Sequence, residues 1–136
     1  MTIENFKNIP DRISCEECRM LFETIINMYD DNSINKIELF DCLLEVVDRQ
    51  VMTYEILDYN TKDRIDNLMA KMWNTFNYDD VDVIMSITVN LGLTKTFEMI
   101  KKSFENDSIE DKKIYSEIDE FLNENEGDIS NPYRFL

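Results

Sequence analysis

The sequence predicts an all-α fold: a single domain over residues 1–136, built as a bundle of about six helices arranged as helical hairpins. Only two Gly and two Pro occur in 136 residues, against usual shares of about 7% and 5%. The chain therefore has few residues suited to tight β-hairpin turns. Apolar side chains make up 43% of the sequence, which is enough to bury a core. They recur at intervals of three and four residues through most of the chain, the period of an amphipathic helix.

The first two predicted helices follow a leader segment, residues 1–13. The first helix begins at Ser14, because Ser14 and Glu17 have the spacing of a capping box, in which each side chain satisfies a free backbone N–H group. The second helix covers about 34–50. The apolar side chains assigned to its inner face are Ile37, Phe40, Leu43, Leu44 and Val47.

A third helix is predicted over about 62–76, after the ambiguous segment 51–60. That segment either extends the second helix or forms a short irregular piece that ends at Asn60 and Thr61, both good N-cap residues. The side chains predicted to face inward from the third helix are Ile65, Leu68, Met69, Met72, Trp73 and Phe76.

Residues 79–92 fit two patterns. Alternating, largely β-branched side chains over 81–89 are typical of a strand. Pairing of 81–89 with 51–57 would give the alternative fold, an α+β protein with a small two-stranded element. The same segment also has apolar residues at helical spacing, a cap at Asp79 or Asp80, and Gly92 where a helix would end. We therefore predict a buried helix here, with the strand as the alternative.

The last third of the chain predicts two more helices and a docked tail. One helix covers about 94–104, and the next opens at Ser108, with Asp111 three residues later as a near-capping box, and ends near Gly127. Three of the last four residues are bulky and apolar. We therefore expect the C-terminal tail, 128–136, to dock onto the body of the protein.

The charge balance and composition exclude several classes of function. With 14 basic and 29 acidic residues the net charge is −15, and such a surface repels phosphate backbones and anionic membranes. We therefore expect no direct binding to nucleic acid or to a membrane. The chain has no histidine, which excludes Ser-His-Asp and Cys-His nucleophilic sites. Two glycines cannot build a phosphate-binding loop, and the acidic segment 79–82 lacks the glycine and the distal glutamate of a calcium loop. We expect no enzyme activity, no metal and no cofactor.

Three cysteines, an odd number in a chain whose start does not look like a secretory signal, indicate reduced thiols and a cytoplasmic location. Cys15 and Cys18 have Cys-x-x-Cys spacing at a predicted helix start, but the flanking glutamates raise thiol pKa and no βαβ pattern precedes them. A zinc site needs four ligands, and only Cys42 adds a third sulfur. We predict that Cys18 packs in the core and that Cys15 is partly exposed.

Negative charge is concentrated toward both ends of the chain. Residues 1–50 carry five basic and eleven acidic groups (net −6), residues 51–104 six and eight (net −2), and residues 105–136 three and ten (net −7). Acidity beyond what solubility requires favours a surface that meets a basic partner.

Candidate partner-binding residues are those where tyrosines stand beside acids, because tyrosine supplies contact area and carboxylates pair with Arg or Lys. These residues are Tyr54, Glu55, Asp58, Tyr59, Tyr78, Asp79, Asp80 and Asp82. An alternative patch is the carboxylate row along one side of the last helix: Glu117, Glu120 and Glu124.

In size, acidity, helical character and lack of catalytic motifs, the chain resembles the small acidic helical immunity proteins of bacterial toxin systems, such as those of contact-dependent inhibition and polymorphic toxins. The resemblance implies a cytoplasmic, non-catalytic inhibitor. It also implies a basic toxin domain as partner, a nuclease being favoured, whose active site the inhibitor blocks. Two other functions fit the same composition: a DNA-mimic inhibitor of a defence enzyme, and a helical adaptor in an intracellular complex that is acidic only for solubility.

Overall fold

The computed structural model describes residues 3–106 and 109–135, and these form seven helices and no strand. The all-α prediction is confirmed, and the two-stranded alternative is wrong. The helices are α1 (Ile3–Lys7), α2 (Cys15–Asp30), α3 (Lys36–Val51), α4 (Tyr59–Met72), α5 (Tyr78–Leu91), α6 (Thr94–Asn106) and α7 (Lys112–Glu124). The chain divides into two compact units, Met1–Thr61 and Lys62–Leu136. No helix in the described ranges has the length and apolar character needed to cross a membrane.

Capping boxes start both long helices of the first unit. The Ser14 hydroxyl accepts the Glu17 N–H at 3.1 Å, and the Glu17 carboxylate accepts the Ser14 N–H at 3.2 Å, as the sequence predicts. Asn35 and Glu38 repeat this arrangement at the start of α3. Two backbone N–H groups at each helix start are therefore satisfied by local side chains.

The core of the first unit lies between α2 and α3, which pack against each other as the predicted hairpin. Ile37, which we expected on the inner face of α3, is instead 69% exposed. Nine residues along the helix, Val46 is fully buried, and nine residues at 100° each place two side chains on opposite faces. The side chains that α3 buries are Leu39, Phe40, Cys42, Leu43, Val46, Val47 and Gln50.

Residues 1–13 contain a helix that the sequence did not indicate. The short helix α1 packs on α3 and buries Phe6. The guanidinium of Arg49 donates to the backbone carbonyls of Ile9 and Pro10, both at 3.2 Å. This segment is therefore bound to the side of α3 by one apolar contact and one charged group.

In the second unit, α5 confirms the helix predicted for 79–92. Its N-cap is Asn77, whose side chain accepts the Asp80 N–H at 3.2 Å. The predicted caps, Asp79 and Asp80, are therefore wrong by two and three residues. Gly92 ends the helix with φ 73°, as expected for a left-handed C-cap. A Cβ atom on Gly92 would lie 2.5 Å from the Ser130 carbonyl oxygen, so the tail passes directly over this turn.

Helix α4 ends at Met72, four residues earlier than predicted, because the Asn74 side chain accepts the Phe76 N–H at 2.9 Å and forms a turn. Phe76 was predicted to face inward and is 85% exposed. Trp73 remains half-buried, and its indole N–H donates to the Ser103 hydroxyl at 2.9 Å.

Helices α5, α6 and α7 pack against one another around the core of the second unit. The buried side chains of this core are Val81, Met85, Phe97, Ile100, Ile114, Ile118, Phe121 and Ile129. The N-cap of α7 is Asp111, which accepts the N–H groups of Lys113 and Ile114. The predicted start at Ser108 lies outside the described residues. The helix ends at Glu124, before Gly127.

The tail packs against the rest of the second unit through Ile129, which was not among the residues expected to dock. Ile129 is buried, and the Lys62 ammonium donates to the Ser130 carbonyl at 2.9 Å. The Arg134 guanidinium donates to the Asn125 side chain at 2.9 Å. Phe135, one of the three bulky residues that suggested docking, is exposed.

Candidate functional site

The eleven candidate residues fall in three places. Four of them, Tyr54, Glu55, Asp58 and Tyr59, lie between the end of α3 and the first residue of α4, in the first unit. Tyr78, Asp79, Asp80 and Asp82 lie in the first turns of α5, and Glu117, Glu120 and Glu124 lie on α7, all in the second unit.

One open groove joins two of these groups. Asp82 from α5 lines it together with three carboxylates of α7, and its volume is about 300 Å³. We call this the acidic groove. Its lining residues are Asp82, Met85, Ser86, Val89, Glu117, Glu120, Phe121, Glu124 and Asn125. Sequence spacing placed the three glutamates of α7 on one face, but only the packing of α5 against α7 adds the fourth carboxylate.

The helical period explains why the carboxylates meet. Residues 117, 120 and 124 are three and four apart, so they form one row on α7. The neighbouring row, which includes Ile118 and Phe121, is buried against the core. Packing of the apolar row therefore brings the acidic row to the rim of the α5–α7 interface.

None of the four groove carboxylates forms an ion pair with a lysine or arginine in the described part of the chain. The groove lining also contains no basic side chain among the described residues. Like charges at this spacing repel by a few tenths of a kcal/mol for each pair, on the order of 0.2–0.5. The fold thus tolerates a concentration of negative charge that it does not neutralise internally.

Tyr78 contacts Glu117, one of the groove carboxylates, and packs against the core. It is half-buried against the core cluster, and the Lys113 ammonium lies 4.0 Å from its ring centroid. Burial raises the pKa of the Tyr78 phenol, and the charges of Glu117 and Asp82 raise it further. A hydrogen bond to Glu117 adds to the effect by stabilising the neutral phenol.

The two remaining α5 candidates differ in accessibility. Asp79 is exposed in the first turn and is not among the residues that line the groove. Asp80 is only 5% exposed, which leaves little of it for a partner.

The second surface is an exposed apolar segment of the first unit, residues 52–59, which we call the 52–59 loop. Tyr54, Ile56 and Tyr59 are 65%, 54% and 76% exposed, and Met52 is exposed as well. The tyrosines were among the candidates, whereas Met52 and Ile56 were missed. The sequence predicts either a helix extension or a short irregular piece here, and its only signal for a binding surface is the pairing of tyrosines with acids, which does not include Met52 or Ile56.

Polar contacts hold this loop in place. The side-chain amide of Gln50, itself 2% exposed, donates to the Glu55 carbonyl at 2.8 Å. The Thr53 hydroxyl donates to the Gln50 carbonyl at 2.7 Å and accepts the Glu55 N–H at 3.1 Å. Leu57 is buried beneath the loop, and Tyr54 adopts a left-handed backbone with φ 56°. A non-glycine residue keeps this conformation only where its surroundings hold it.

The cysteines lie where the sequence predicted. Cys18 is buried and Cys15 is half-buried. Burial raises the pKa of the Cys18 thiol to about 11, so this group is neutral near pH 7. The Cys15 sulfur lies 3.5 Å from the Gln50 amide oxygen and 3.9 Å from the Ile56 carbonyl oxygen. Cys15 is therefore a packing partner of the 52–59 loop.

A comparison of the chain with protein-family models, curated proteins and solved structures finds no match. In the described residues, no group of three or more Cys, Asp or Glu side chains is arranged to hold a metal ion. The acidic groove and the 52–59 loop together contain eight of the eleven candidate residues.

Proposed function

We propose that this protein is a non-catalytic inhibitor, an immunity protein of a bacterial toxin system that acts in the cytoplasm. Its partner is a basic toxin domain, a nuclease being favoured, and it acts by occluding the active site. The observation that carries the proposal is the acidic groove, which four carboxylates from two helices line without an ion pair to a lysine or arginine in the described chain.

The physical reason is charge complementarity. A nuclease active site is electropositive because it binds phosphate, and a concentrated patch of carboxylates is attracted to it over about a Debye length, roughly 8 Å at physiological salt. Such attraction raises the association rate and orients the two proteins. In the complex, the carboxylates replace the substrate's phosphates as partners of the catalytic Arg and Lys side chains. The net charge of −15 extends the attraction beyond the groove itself.

A helical adaptor is the second candidate, and one observation favours it. Phe76 is 85% exposed and lines a pocket of about 410 Å³ together with Trp73, Met99 and Lys102. Contacts made through such a patch are mainly apolar and depend weakly on salt. The two functions therefore differ in how binding responds to ionic strength.

The test is a pull-down from lysate of the native host, at low and at high salt, with identification by mass spectrometry. We expect one basic protein, released only at high salt, and we expect the variant Glu117→Gln/Glu120→Gln/Glu124→Gln to capture much less of it. The matched control, Glu105→Gln/Glu110→Gln/Glu126→Gln, removes the same charge from exposed positions of the same unit that do not line the groove.

Recovery of a neutral multi-subunit assembly at both salt concentrations would contradict the inhibitor and favour the adaptor. Equal loss of capture in both triple variants would show that total charge, and not the groove, recruits the partner.

A further inference from the structure

The 52–59 loop concentrates apolar surface within one short segment. Met52, Tyr54, Ile56 and Tyr59 are four of its eight residues, and all are exposed. Two carboxylates, Glu55 and Asp58, lie between them in the chain and are also exposed. Exposed aromatic and aliphatic side chains with charged neighbours are typical of interface centres, where a few residues supply most of the binding energy.

The loop also has a defined conformation before any partner binds. Its hydrogen bonds to Gln50 and Thr53, and the buried anchor Leu57, fix the backbone on both sides of Tyr54. A fixed loop loses less conformational entropy on binding than a flexible one. These side chains are therefore exposed on a backbone of fixed conformation.

We propose that the 52–59 loop is the apolar anchor through which the protein docks on a basic protein partner. The tyrosines and Ile56 enter an apolar depression on the partner, and Glu55 and Asp58 pair with Arg or Lys side chains at its rim. This inference rests on the proposed function for the sign of the partner's charge.

A second copy of the chain fits this surface poorly. Each copy carries a net charge of −15, so association of two copies is opposed by repulsion. The area is also small, because a stable interface takes roughly 800 Å² from each partner. Two tyrosines contribute on the order of 150–250 Å² each even when fully covered, and Met52 and Ile56 are partly buried already. A partner of opposite charge supplies the attraction that area alone lacks.

The test uses the whole protein and three short peptide probes, with binding mapped by changes in backbone amide NMR signals. The first probe, acetyl-Lys-Leu-Leu-Lys-amide, combines apolar and basic groups. The second, acetyl-Lys-Gly-Gly-Lys-amide, keeps the charge without the apolar side chains. The third, acetyl-Glu-Leu-Leu-Glu-amide, keeps the apolar side chains and reverses the charge.

We expect the Lys-Leu-Leu-Lys probe to shift the amide signals of residues 52–59, and the Lys-Gly-Gly-Lys probe to shift signals of the acidic groove only. Substituting Tyr54→Ser/Ile56→Ser/Tyr59→Ser should weaken binding of the first probe at the loop at least five-fold. The control Ile37→Ser removes an equally exposed apolar side chain from α3 of the same unit and should leave that affinity unchanged. Unshifted signals from α2 and α3 in the triple variant show that the unit remains folded.

The outcomes separate this inference from the proposed function. If both basic probes shift the groove and neither shifts the loop, the inference is overturned and the proposed function stands. If the Glu-Leu-Leu-Glu probe binds the loop as well as the Lys-Leu-Leu-Lys probe does, the assigned charge of the partner is wrong. If the first probe binds the loop and neither basic probe affects the groove, the inference stands and the electrostatic basis of the proposed function is contradicted.

Discussion

The acidic groove and the 52–59 loop differ in the chemistry of the side chains that they expose. The groove is lined by four carboxylates with no basic side chain among the described lining residues, whereas the loop exposes mainly aromatic and aliphatic surface. Charge acts over several ångströms and controls how fast proteins associate, while apolar contact acts only at close range and controls how slowly they separate. Under the two proposals, the groove attracts and orients the partner, and the loop slows its dissociation.

The two surfaces are also built differently. The groove is formed by two regular helices, so its geometry follows from the packing of the apolar rows of α5 and α7. Apart from Tyr59, the first residue of α4, the loop lacks regular structure, and its conformation depends on side-chain hydrogen bonds of the buried Gln50 and of Thr53. We therefore expect the groove to respond to core substitutions and the loop to respond to the loss of single hydrogen bonds.

The largest expected effect on stability comes from removing a core side chain that packs beneath the groove. Replacing the fully buried Ile118 by Ala leaves a cavity behind the carboxylate row and should lower the free energy of unfolding by about 3 kcal/mol. Chemical denaturation monitored by the fluorescence of the single Trp73, in the same unit, measures this change. The control Ser116→Ala, at an exposed position of the same helix, should change stability by less than about 0.5 kcal/mol. A loss below ~1 kcal/mol for Ile118→Ala would contradict the packing described here.

Gln50→Ala should produce the next largest effect, and it should be local to the loop. It removes the donor to the Glu55 carbonyl from a buried position, and we expect a loss of about 1–3 kcal/mol. Amide hydrogen exchange should accelerate across residues 52–57 more than in the middle of α2. Uniform acceleration throughout the first unit would show that Gln50 supports the whole unit, not the loop alone.

Neutralising the groove should change stability least, and in the opposite direction. Glu117→Gln/Glu120→Gln/Glu124→Gln relieves repulsion between neighbours on α7 and should stabilise the protein by less than about 1 kcal/mol. The gain should diminish at 1 M salt, where charges are already screened. Denaturation at two salt concentrations measures it, with the Glu105→Gln/Glu110→Gln/Glu126→Gln variant as the control of equal charge. A loss of stability at low salt would show that contacts such as the hydrogen bond between Tyr78 and Glu117 outweigh the repulsion.

The phenol of Tyr78 provides a spectroscopic sensor of the same charge. Because burial and the carboxylates of Glu117 and Asp82 raise its pKa, it should ionise later than an ordinary tyrosine in an ultraviolet titration. Folding therefore favours the neutral phenol, and this contribution to stability is present at neutral pH and lost as the pH rises above the ordinary value near 10. Glu117→Gln should bring the pKa of Tyr78 partway back toward the ordinary value, leaving the effect of burial. Tyr78→Phe identifies which signal belongs to this group, and an unchanged titration in Glu117→Gln would contradict the described contact.

Local signals in the sequence predicted the helices well. Ser14 with Glu17 marked the start of α2, and Gly92 marked the end of α5, because capping and left-handed termination depend on residues within one turn. The sequence predicted less reliably which side chains lie on the inner face of a helix and at which residue a helix ends. Ile37 lies on the face of α3 opposite the buried Val46, and Phe76 lies in the turn that follows the end of α4 at Met72.

The candidate site was predictable only in part. The row Glu117, Glu120 and Glu124 follows from the helical period, which is a property of α7 alone. The addition of Asp82 requires α5 to pack beside α7, because Asp82 lies 35 residues before Glu117 in the sequence. The burial of Asp80 and the exposure of Ile56 likewise depend on which elements pack over each position.

The sequence by itself determined the all-α class, the N-cap of α2, the C-cap of α5 and the strongly acidic character, because composition and one-turn spacing decide these. Tertiary structure alone decided which carboxylates meet in a groove, which tyrosines remain exposed, and how the 52–59 loop is held. Those properties arise from contacts between residues far apart in the chain. A side chain's exposure is set by its spatial neighbours, and periodicity along one helix does not specify them.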